Sequence, residues 1–277
     1  MKYLIAFWKD LNLSARIGFS IVTFFAFCAV FAPWLAPYGE SEIVGDVWDP
    51  IGGEFLLGTD QIGRDLLTRL IFGARNTMAL AIVSTMVSFG AGAILGFVAA
   101  TRGGLTDHVL SRMVDVVISI PTLIASLIVL SAVGTTTSTL ILVIGIIYAM
   151  PVFRIARAVA MDIEVMDYVE AARLRGEGLW WLMTREILPN ALTPLAAEFG
   201  LRFCFVFLLI ASLSFLGLGL QPPLADWGGM VRGNAGGIAW GFMHPLLPAA
   251  CIAALTIGIN LLIDRWVHKA SGLRDDQ

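Results

Sequence analysis

The sequence predicts an all-α polytopic membrane protein with six transmembrane helices. Of its 277 residues, 58% are hydrophobic and only 14% are charged, whereas a soluble globular domain has about a quarter charged residues. The mean hydropathy is correspondingly high, at +0.83. The apolar residues form long continuous runs with the charges between them, which favours membrane helices over the short alternating strands of a β-barrel.

Six apolar runs are candidates for spanning helices, each of which needs about 20 residues to cross a bilayer. The fourth run is short, but its helix can continue past Arg154 and Arg157, because long cationic side chains reach along a helix to the membrane interface. The runs are residues 17–34, 78–100, 114–133, 139–153, 199–218 and 245–263.

The distribution of cations predicts the orientation, since cytoplasmic loops carry an excess of Lys and Arg. With the N-terminus in the cytoplasm, 13 cations fall on the inner side and 4 on the outer side, with Arg202 near or within a span. The first run has no clear small-x-small cleavage site, so we interpret it as a retained helix rather than a secretory signal. Both termini are therefore predicted to be cytoplasmic.

Three regions are predicted along the chain. Residues 1–77 form an N-terminal region with the first transmembrane helix and an extracytoplasmic amphipathic segment. Residues 78–266 form a core of five transmembrane helices, which includes a long inner connection at 154–193, and residues 267–277 form a cytoplasmic tail. In the amphipathic segment, the apolar residues of 65–72 share one helical face. We expect an interfacial helix there, capped by Thr59 or Asp60.

Small residues and paired charges within the spans predict helix packing. Gly92 and Gly96 form a small-xxx-small pair, which is typical of closely packed membrane helices. Opposite charges at a spacing of three or four residues are neighbours on a helix surface. Two such pairs are therefore expected to form ion pairs: Arg112 with Asp115, and Glu198 with Arg202.

The inner connection contains a stretch that is far more polar than its surroundings, YVEAARLRGEGLWWLMTREILPN, at residues 168–190. Its pattern predicts two short helices joined by a bend at Gly176 and Gly178, since glycine breaks helices. The second helix is expected to end near Pro189, because proline cannot continue a hydrogen-bonded helix interior.

The chemistry of this stretch favours docking over catalysis. Ala171 and Ala172 leave room for close approach by another surface, and Glu170 is placed to pair with Arg173 or Arg175 or to contact that surface. The stretch contains no His or Cys. A rigid segment of this kind is suited to binding a partner and transmitting its movement.

Three separated stretches resemble one known family. The polar stretch at 168–190 resembles the EAA loop of ABC importer permeases, although Glu186 stands where the consensus has Ile. The stretches LGTDQIGRDLLTRLIFGAR (57–75) and SLSFLGLGLQPPLADWG (212–228) are similar to the C-type permease of the dipeptide/oligopeptide importer group. The C-terminal stretch NLLIDRWVHKASGLRDDQ departs from the usual ending of that group. Six positions carry the EAA resemblance: Glu170, Ala171, Ala172, Gly176, Leu188 and Pro189.

The resemblance implies a type I ABC importer permease fold in the bacterial inner membrane. It implies a transporter subunit rather than an enzyme, with no cofactor in this chain. ATP and Mg²⁺ are then used by two partner ABC ATPases, and the first short helix of the EAA loop, the coupling helix, sits in a groove on the ATPase. The other implied partners are a second homologous permease, an extracytoplasmic solute-binding protein and the lipid membrane, and no nucleic acid is expected.

The function implied by the resemblance is import by alternating access of peptides or a related small solute, such as an opine, a nickel chelate or a sugar conjugate. The resemblance assigns coupling to the ATPase to the six EAA positions. Contact with the binding protein, or lining of an outer gate, is predicted for five outer residues, with interfacial packing as the alternative. These five residues are Asp60, Arg64, Asp65, Asp226 and Trp227.

Other function classes fit the residues less well. An intramembrane enzyme needs a nucleophile, a metal cluster or a carboxylate pair converging within the bilayer. The three histidines, His108, His244 and His268, are isolated and near the ends of spans, so no catalytic or metal site is predicted. The absence of a Walker A sequence excludes the ATPase itself, and a passive channel or membrane anchor leaves the polar stretch unexplained.

Overall fold

A computed structural model describes residues 12–270, with side chains as far as Arg265. These residues form α-helices and loops, with isolated β-bridges as their only β-structure. A π-helical stretch, Leu182–Ile187, separates α8 from α9, and a 3₁₀ helix, Ala235–Trp240, follows α10. The α-helices in chain order are α1 Leu13–Val30, α2 Ala32–Leu35, α3 Leu66–Arg102, α4 Gly104–Ile118, α5 Thr122–Val133, α6 Thr137–Glu164, α7 Asp167–Leu174, α8 Leu179–Trp181, α9 Leu188–Phe215, α10 Trp227–Asn234 and α11 Leu246–Ala270.

Five helical segments are long and apolar enough to cross a membrane, and a sixth arises if α4 and α5 form one bent span. The predicted all-α, multi-spanning fold is therefore confirmed, with five or six spans in the described residues. The five segments are Leu13–Val30, Leu66–Arg102, Thr137–Glu164, Leu179–Phe215 and Leu246–Arg265.

The third predicted span is broken instead of continuous. Helix α4 ends at Ile118 and α5 begins at Thr122, and the two are bent by 87°. Pro121 lies at the break. Proline has no amide hydrogen and disfavours a helical conformation in the residue before it, which explains why the apolar run 114–133 does not form one straight helix.

The described residues group into two compact units. The first contains residues 12–82, 134–137 and 204–270, and the second contains 83–133 and 138–203. This grouping reflects contacts in space, so the linear division into 1–77, 78–266 and 267–277 stays a prediction. The part of the predicted tail beyond Ala270 lies outside the described residues.

In the first unit, α1 packs against α11 where two glycines meet. A Cβ atom on Gly18 would lie 2.6 Å from the carbonyl oxygen of Gly258. A side chain there would force the helices apart, whereas glycine lets the two backbones approach closely, as is common between membrane helices.

The beginning of α3 differs from the predicted separate interfacial helix. Helix α3 is continuous over 37 residues, and the amphipathic pattern forms its first turns, with Leu66 buried as expected. Its cap is Asp65, whose carboxylate accepts a hydrogen bond from the amide of Thr68 at 2.7 Å. The predicted caps, Thr59 and Asp60, lie in the preceding loop and were wrong.

In the second unit, α3 and α6 cross closely at the predicted small-residue pair. A Cβ atom on Gly92 would lie 2.5 Å from the carbonyl oxygen of Ala149, and one on Gly96 would lie 2.8 Å from that of Phe153. The prediction that these glycines serve close helix packing is confirmed.

Helix α6 continues beyond the fourth apolar run to Glu164, as predicted. In this extension of the helix, the guanidinium of Arg157 binds both carboxylate oxygens of Asp107 on α4. A cation that looks solitary in sequence is therefore neutralised by a residue 50 positions away.

The two charge pairs predicted from helical spacing have different outcomes. Glu198 and Arg202 form an ion pair, as expected. Arg112 and Asp115 form no ion pair in the described part of the chain. Asp115 instead lines a small polar pocket with Arg157.

Candidate functional site

The polar inner connection contains α7, which ends in a glycine turn. The amides of Gly176 and Glu177 donate to the carbonyls of Arg173 and Ala172, at 2.9 and 3.2 Å. This is the Schellman arrangement, in which a residue with a left-handed backbone ends a helix. Gly176 has a φ of +82°, where a side chain would be strained, so the predicted bend at this glycine is confirmed. Gly178, with a φ of −79°, needs no such freedom.

Helix α7 has one buried face and one exposed face. Val169 and Ala172 are fully buried against the core of the second unit, which includes Leu182 from the next helical segment. Glu170 and Ala171 are exposed. Of the two alanines singled out in the sequence, Ala172 therefore lets α7 lie close to its own unit, and only Ala171 is open to another surface.

Arg173 connects α7 to the inner ends of two spanning helices. Its guanidinium forms an ion pair with Glu164, the last residue of α6. The same nitrogen, Nη2, donates to the carbonyl oxygen of Thr101 in the last turn of α3 at 3.2 Å. One side chain thus links α7 to α3 and α6.

The remaining charges of the segment leave Glu170 without a cation. Arg175 lies 3.9 Å from Glu177 and its guanidinium stands 5.6 Å from the centre of the Trp181 ring. Arg173 is held by Glu164. No ion pair to Glu170 occurs among the described residues, so the predicted pairing with Arg173 or Arg175 is absent and its exposed carboxylate is available to a partner.

The predicted end of the second short helix, near Pro189, was wrong. The segment runs as one helix from Leu179 to Phe215 through the π-helical turn, in which the amide of Leu188 bonds to the carbonyl of Met183. Pro189 follows this turn without ending the helix. Proline in a regular α-helix clashes with the carbonyl four residues earlier, and the wider π turn immediately before it relaxes that crowding. Leu188 and Pro189 are both exposed.

In the first unit, Asp60 is the centre of a buried charge cluster. Its Oδ1 accepts hydrogen bonds from the amides of Ile62 and Arg64, at 3.0 and 3.1 Å. Its Oδ2 accepts from Arg64 Nε at 2.7 Å and lies 3.3 Å from Arg69 Nε. Asp60, Arg64 and the capping residue Asp65 are all buried. In this conformation they hold the loop before α3 together.

Asp226 and Trp227 are likewise buried where α10 begins. The Asp226 carboxylate caps α10 by accepting from the amide of Gly229 at 2.8 Å. The Trp227 indole donates to the carbonyl of Leu70 at 2.9 Å, and a Cβ atom on Gly73 would lie 2.6 Å from its ring. All five outer residues therefore occupy packing positions, and their role toward a binding protein or gate stays a prediction.

A further residue that organises this region is Glu40. Its carboxylate accepts hydrogen bonds from the side chain of Asn76 and the amide of Ala225, at 2.7 and 2.5 Å. Its carbonyl accepts from Arg69 at 3.0 Å. These partners are up to 185 residues apart, so no local spacing in the sequence indicated the role of Glu40.

Comparison with known proteins places this architecture in a family. Residues 11–47 match the N-terminal TM domain of oligopeptide transport permease C. Residues 92–269, which include the whole inner connection, match the binding-protein-dependent transport system inner membrane component. The chain belongs to this family of transport permeases. It is a permease subunit of an ABC importer and not an enzyme, and it is a multi-pass protein of the bacterial inner membrane.

The permease has relatives that match it over nearly its whole length. It is 35% identical to the di/tripeptide transport system permease of Pseudomonas aeruginosa, over 97% of this chain and 89% of that protein. It is 30% identical to the dipeptide transport system permease of Haemophilus influenzae, over 97% and 91%. It is 28% identical to the glutathione transport system permease of Pectobacterium atrosepticum, over 97% and 88%.

A solved structure supports the fold. The permease is similar to the crystal structure of an amino acid ABC transporter with histidines, with a TM-score of 0.54 and 18% sequence identity. The similarity covers 73% of this chain and 94% of the solved chain. At this identity it supports the helical permease architecture alone.

Proposed function

We propose that this permease is one of two homologous membrane subunits of an importer for short peptides. Two cytoplasmic ATPases bind ATP and Mg²⁺ and drive it, and an extracytoplasmic binding protein delivers the solute. The observation that carries the proposal is α7, a short helix with an exposed, unpaired Glu170 on one face and a firm attachment to the spanning helices on the other. Such an element can transmit the closure of an ATPase into a helix rearrangement, and packed helices switch between discrete arrangements.

The proposed solute is a short peptide. The relatives named above carry peptide names, including a di/tripeptide, a dipeptide and a glutathione permease. Opines, nickel chelates and sugar conjugates are the alternatives within the same importer group. Uptake assays with each class in cells with and without this chain distinguish among them.

The proposed orientation places the N-terminus, the inner connection and the C-terminus in the cytoplasm, because of the excess of cations in those segments. Glu177→Cys in intact cells is expected to resist a membrane-impermeant thiol reagent and to react after the membrane is permeabilised. Ile51→Cys, in the exposed outer loop, is the control that should react in both cases. Labelling of Glu177→Cys in intact cells would reverse the orientation.

Arg173 is proposed to position α7 for coupling, since it alone joins the helix to both Glu164 and Thr101. Arg173→Glu is expected to lower the stimulation of ATP hydrolysis by dipeptide-loaded binding protein by about three- to tenfold, the lower part of the range for a coupled pair in contact, because Arg173 is partly exposed. Basal hydrolysis and co-purification of the ATPases should stay unchanged. Glu164→Arg should act similarly, and the double variant should recover much of the stimulation because the ion pair re-forms with reversed charges.

The measurement uses the complete importer in nanodiscs. Arg175→Glu is the matched control, because Arg175 is exposed and its nearest acid, Glu177, is as far as 3.9 Å away. If no dipeptide-loaded binding protein stimulates the unmodified complex, the peptide function is wrong. If stimulation is normal in the wild type and equally normal in Arg173→Glu, only the coupling route through Arg173 is wrong.

A further inference from the structure

The two outer signature stretches, 57–75 and 212–228, meet at a cavity in the first unit. The cavity has a volume of about 290 Å³. Its walls come from the loop before α3, the first turns of α3, the end of α9, the following turn and α10. These stretches belong to the first unit and α7 belongs to the second, so the proposed coupling of α7 to an ATPase does not explain the cavity.

The charged groups that line this cavity are Asp60, Arg64, Arg69, Asp226 and Arg232. The Asp60 carboxylate is already occupied by two backbone amides and by Arg64. Arg69 Nε is buried without a hydrogen bond, although it lies 3.3 Å from Asp60. Arg69 is therefore held by the charge of Asp60 and by the Glu40 carbonyl, to which its Nη1 donates at 3.0 Å.

The second acid, Asp226, is held by hydrogen bonds within the chain. Its carboxylate is engaged by the amide of Gly229 and lies within hydrogen-bond distance of the Thr77 hydroxyl. Burial raises the pKa of the Asp226 carboxyl, while these hydrogen bonds lower it. Both acids are thus engaged within the chain, and so are two of the three guanidinium groups, those of Arg64 and Arg69.

Arg232 is the cation that remains available. It is exposed, and no ion pair to it occurs in the described part of the chain. Gly217 makes room for its guanidinium, since a Cβ atom there would lie 2.0 Å from Nη1, and the φ of +90° at this position also favours glycine. The backbone therefore leaves space for Arg232 at the edge of the cavity.

We propose that this cavity binds the C-terminal carboxylate of a short peptide, with Arg232 as the principal contact. This inference rests on the proposed peptide function. A guanidinium presents paired N–H donors that match a carboxylate in size and geometry. Ligand pockets usually measure about 300–1,000 Å³, so the volume suits the end of a dipeptide rather than a long chain.

Binding is tested on the complete membrane complex in nanodiscs, without binding protein and without ATP. Saturation-transfer NMR on the dipeptide Ala-Ala is expected to show binding, and Ala-Ala with an amidated C-terminus should show none. Arg232→Ala should weaken Ala-Ala binding by about tenfold, the expected effect of losing a charge-assisted hydrogen bond. Arg232→Lys should weaken it less, because the charge stays while the paired donors are lost.

Arg75→Ala is the matched control, since Arg75 is also exposed on α3 but does not line the cavity. Absence of Ala-Ala binding, or equal binding by the amide, overturns the proposal. So does displacement of Ala-Ala by an equal concentration of acetate, which would indicate a general anion site. If Arg232→Ala weakens docking of the binding protein while Ala-Ala does not bind, the carboxylate comes from that protein and the peptide site is wrong. Dipeptide uptake, measured separately, tests the proposed function itself.

Discussion

Gly176→Asp is expected to abolish the stimulation of ATP hydrolysis by loaded binding protein while the permease stays folded and inserted. The chain itself has room for the new side chain, because a Cβ atom at Gly176 would meet no atom within 4 Å. The backbone there has a φ of +82°. Aspartate is among the residues that tolerate this region best, at a cost of roughly 1 kcal/mol.

This combination makes the Gly176 variant a specific test of docking. Since nothing within the permease is crowded, a large functional loss must come from a surface that approaches α7 from outside. The measurement is co-purification with the ATPases together with an ATPase assay in nanodiscs, with thermal unfolding to verify the fold. Gly176→Asn separates size from charge. Normal stimulation in Gly176→Asp would remove this end of α7 from the interface.

Trp227→Ala is expected to destabilise the first unit by about 3–5 kcal/mol, the usual cost of truncating a buried Trp. The indole is 0% exposed. Its ring packs edge-on against Phe25 and Phe207, with centroids 5.2 and 6.1 Å apart, and its nitrogen donates to Leu70. Removal leaves a cavity and takes away the hydrogen bond from the indole to the Leu70 carbonyl.

A denaturant titration in detergent measures this loss, and Trp240→Ala is its control. Trp240 is 75% exposed, so its truncation should change stability by about 0.5 kcal/mol or less. Trp227→Phe should lie between the two, because it keeps most of the volume and loses the hydrogen bond. Equal stability of the Trp227→Ala and Trp240→Ala variants would contradict the packing role. Any effect of Trp227→Ala on docking of the binding protein must be corrected for this loss of stability.

Local features of the structure followed from the sequence because their causes are local. The glycine turn at Gly176 depends on one residue's backbone freedom, and the Glu198–Arg202 pair depends on helical spacing. The close packing at Gly92 follows from the absence of a side chain. Each of these can be predicted from residues at most a few positions apart.

The features that sequence reasoning missed depend on distant partners. Arg157 and Asp107 are 50 residues apart, and Glu40 meets Ala225 across 185 residues. A charged residue with no partner nearby in the sequence is predicted to be exposed to water, because burying an unpaired charge costs much free energy. The contact role predicted for Asp60 rests on its place in a polar outer stretch, and its buried position becomes understandable only once Arg64 and Arg69 are seen around it.

The π-helical turn, Leu182–Ile187, determines the direction in which the inner connection leaves the membrane helix. The buried residues Met183, Ile187, Ala191 and Leu195 recur at a strict interval of four. On a regular α-helix each such step drifts by about 40° around the axis, and the wider turn counteracts the drift at the start of the stripe. If the same residues were wound as an ordinary α-helix, everything before them would be rotated by about 100° around the axis. The winding of this one turn thus fixes the direction in which α7 faces, although α7 itself lies outside the helix that contains the turn.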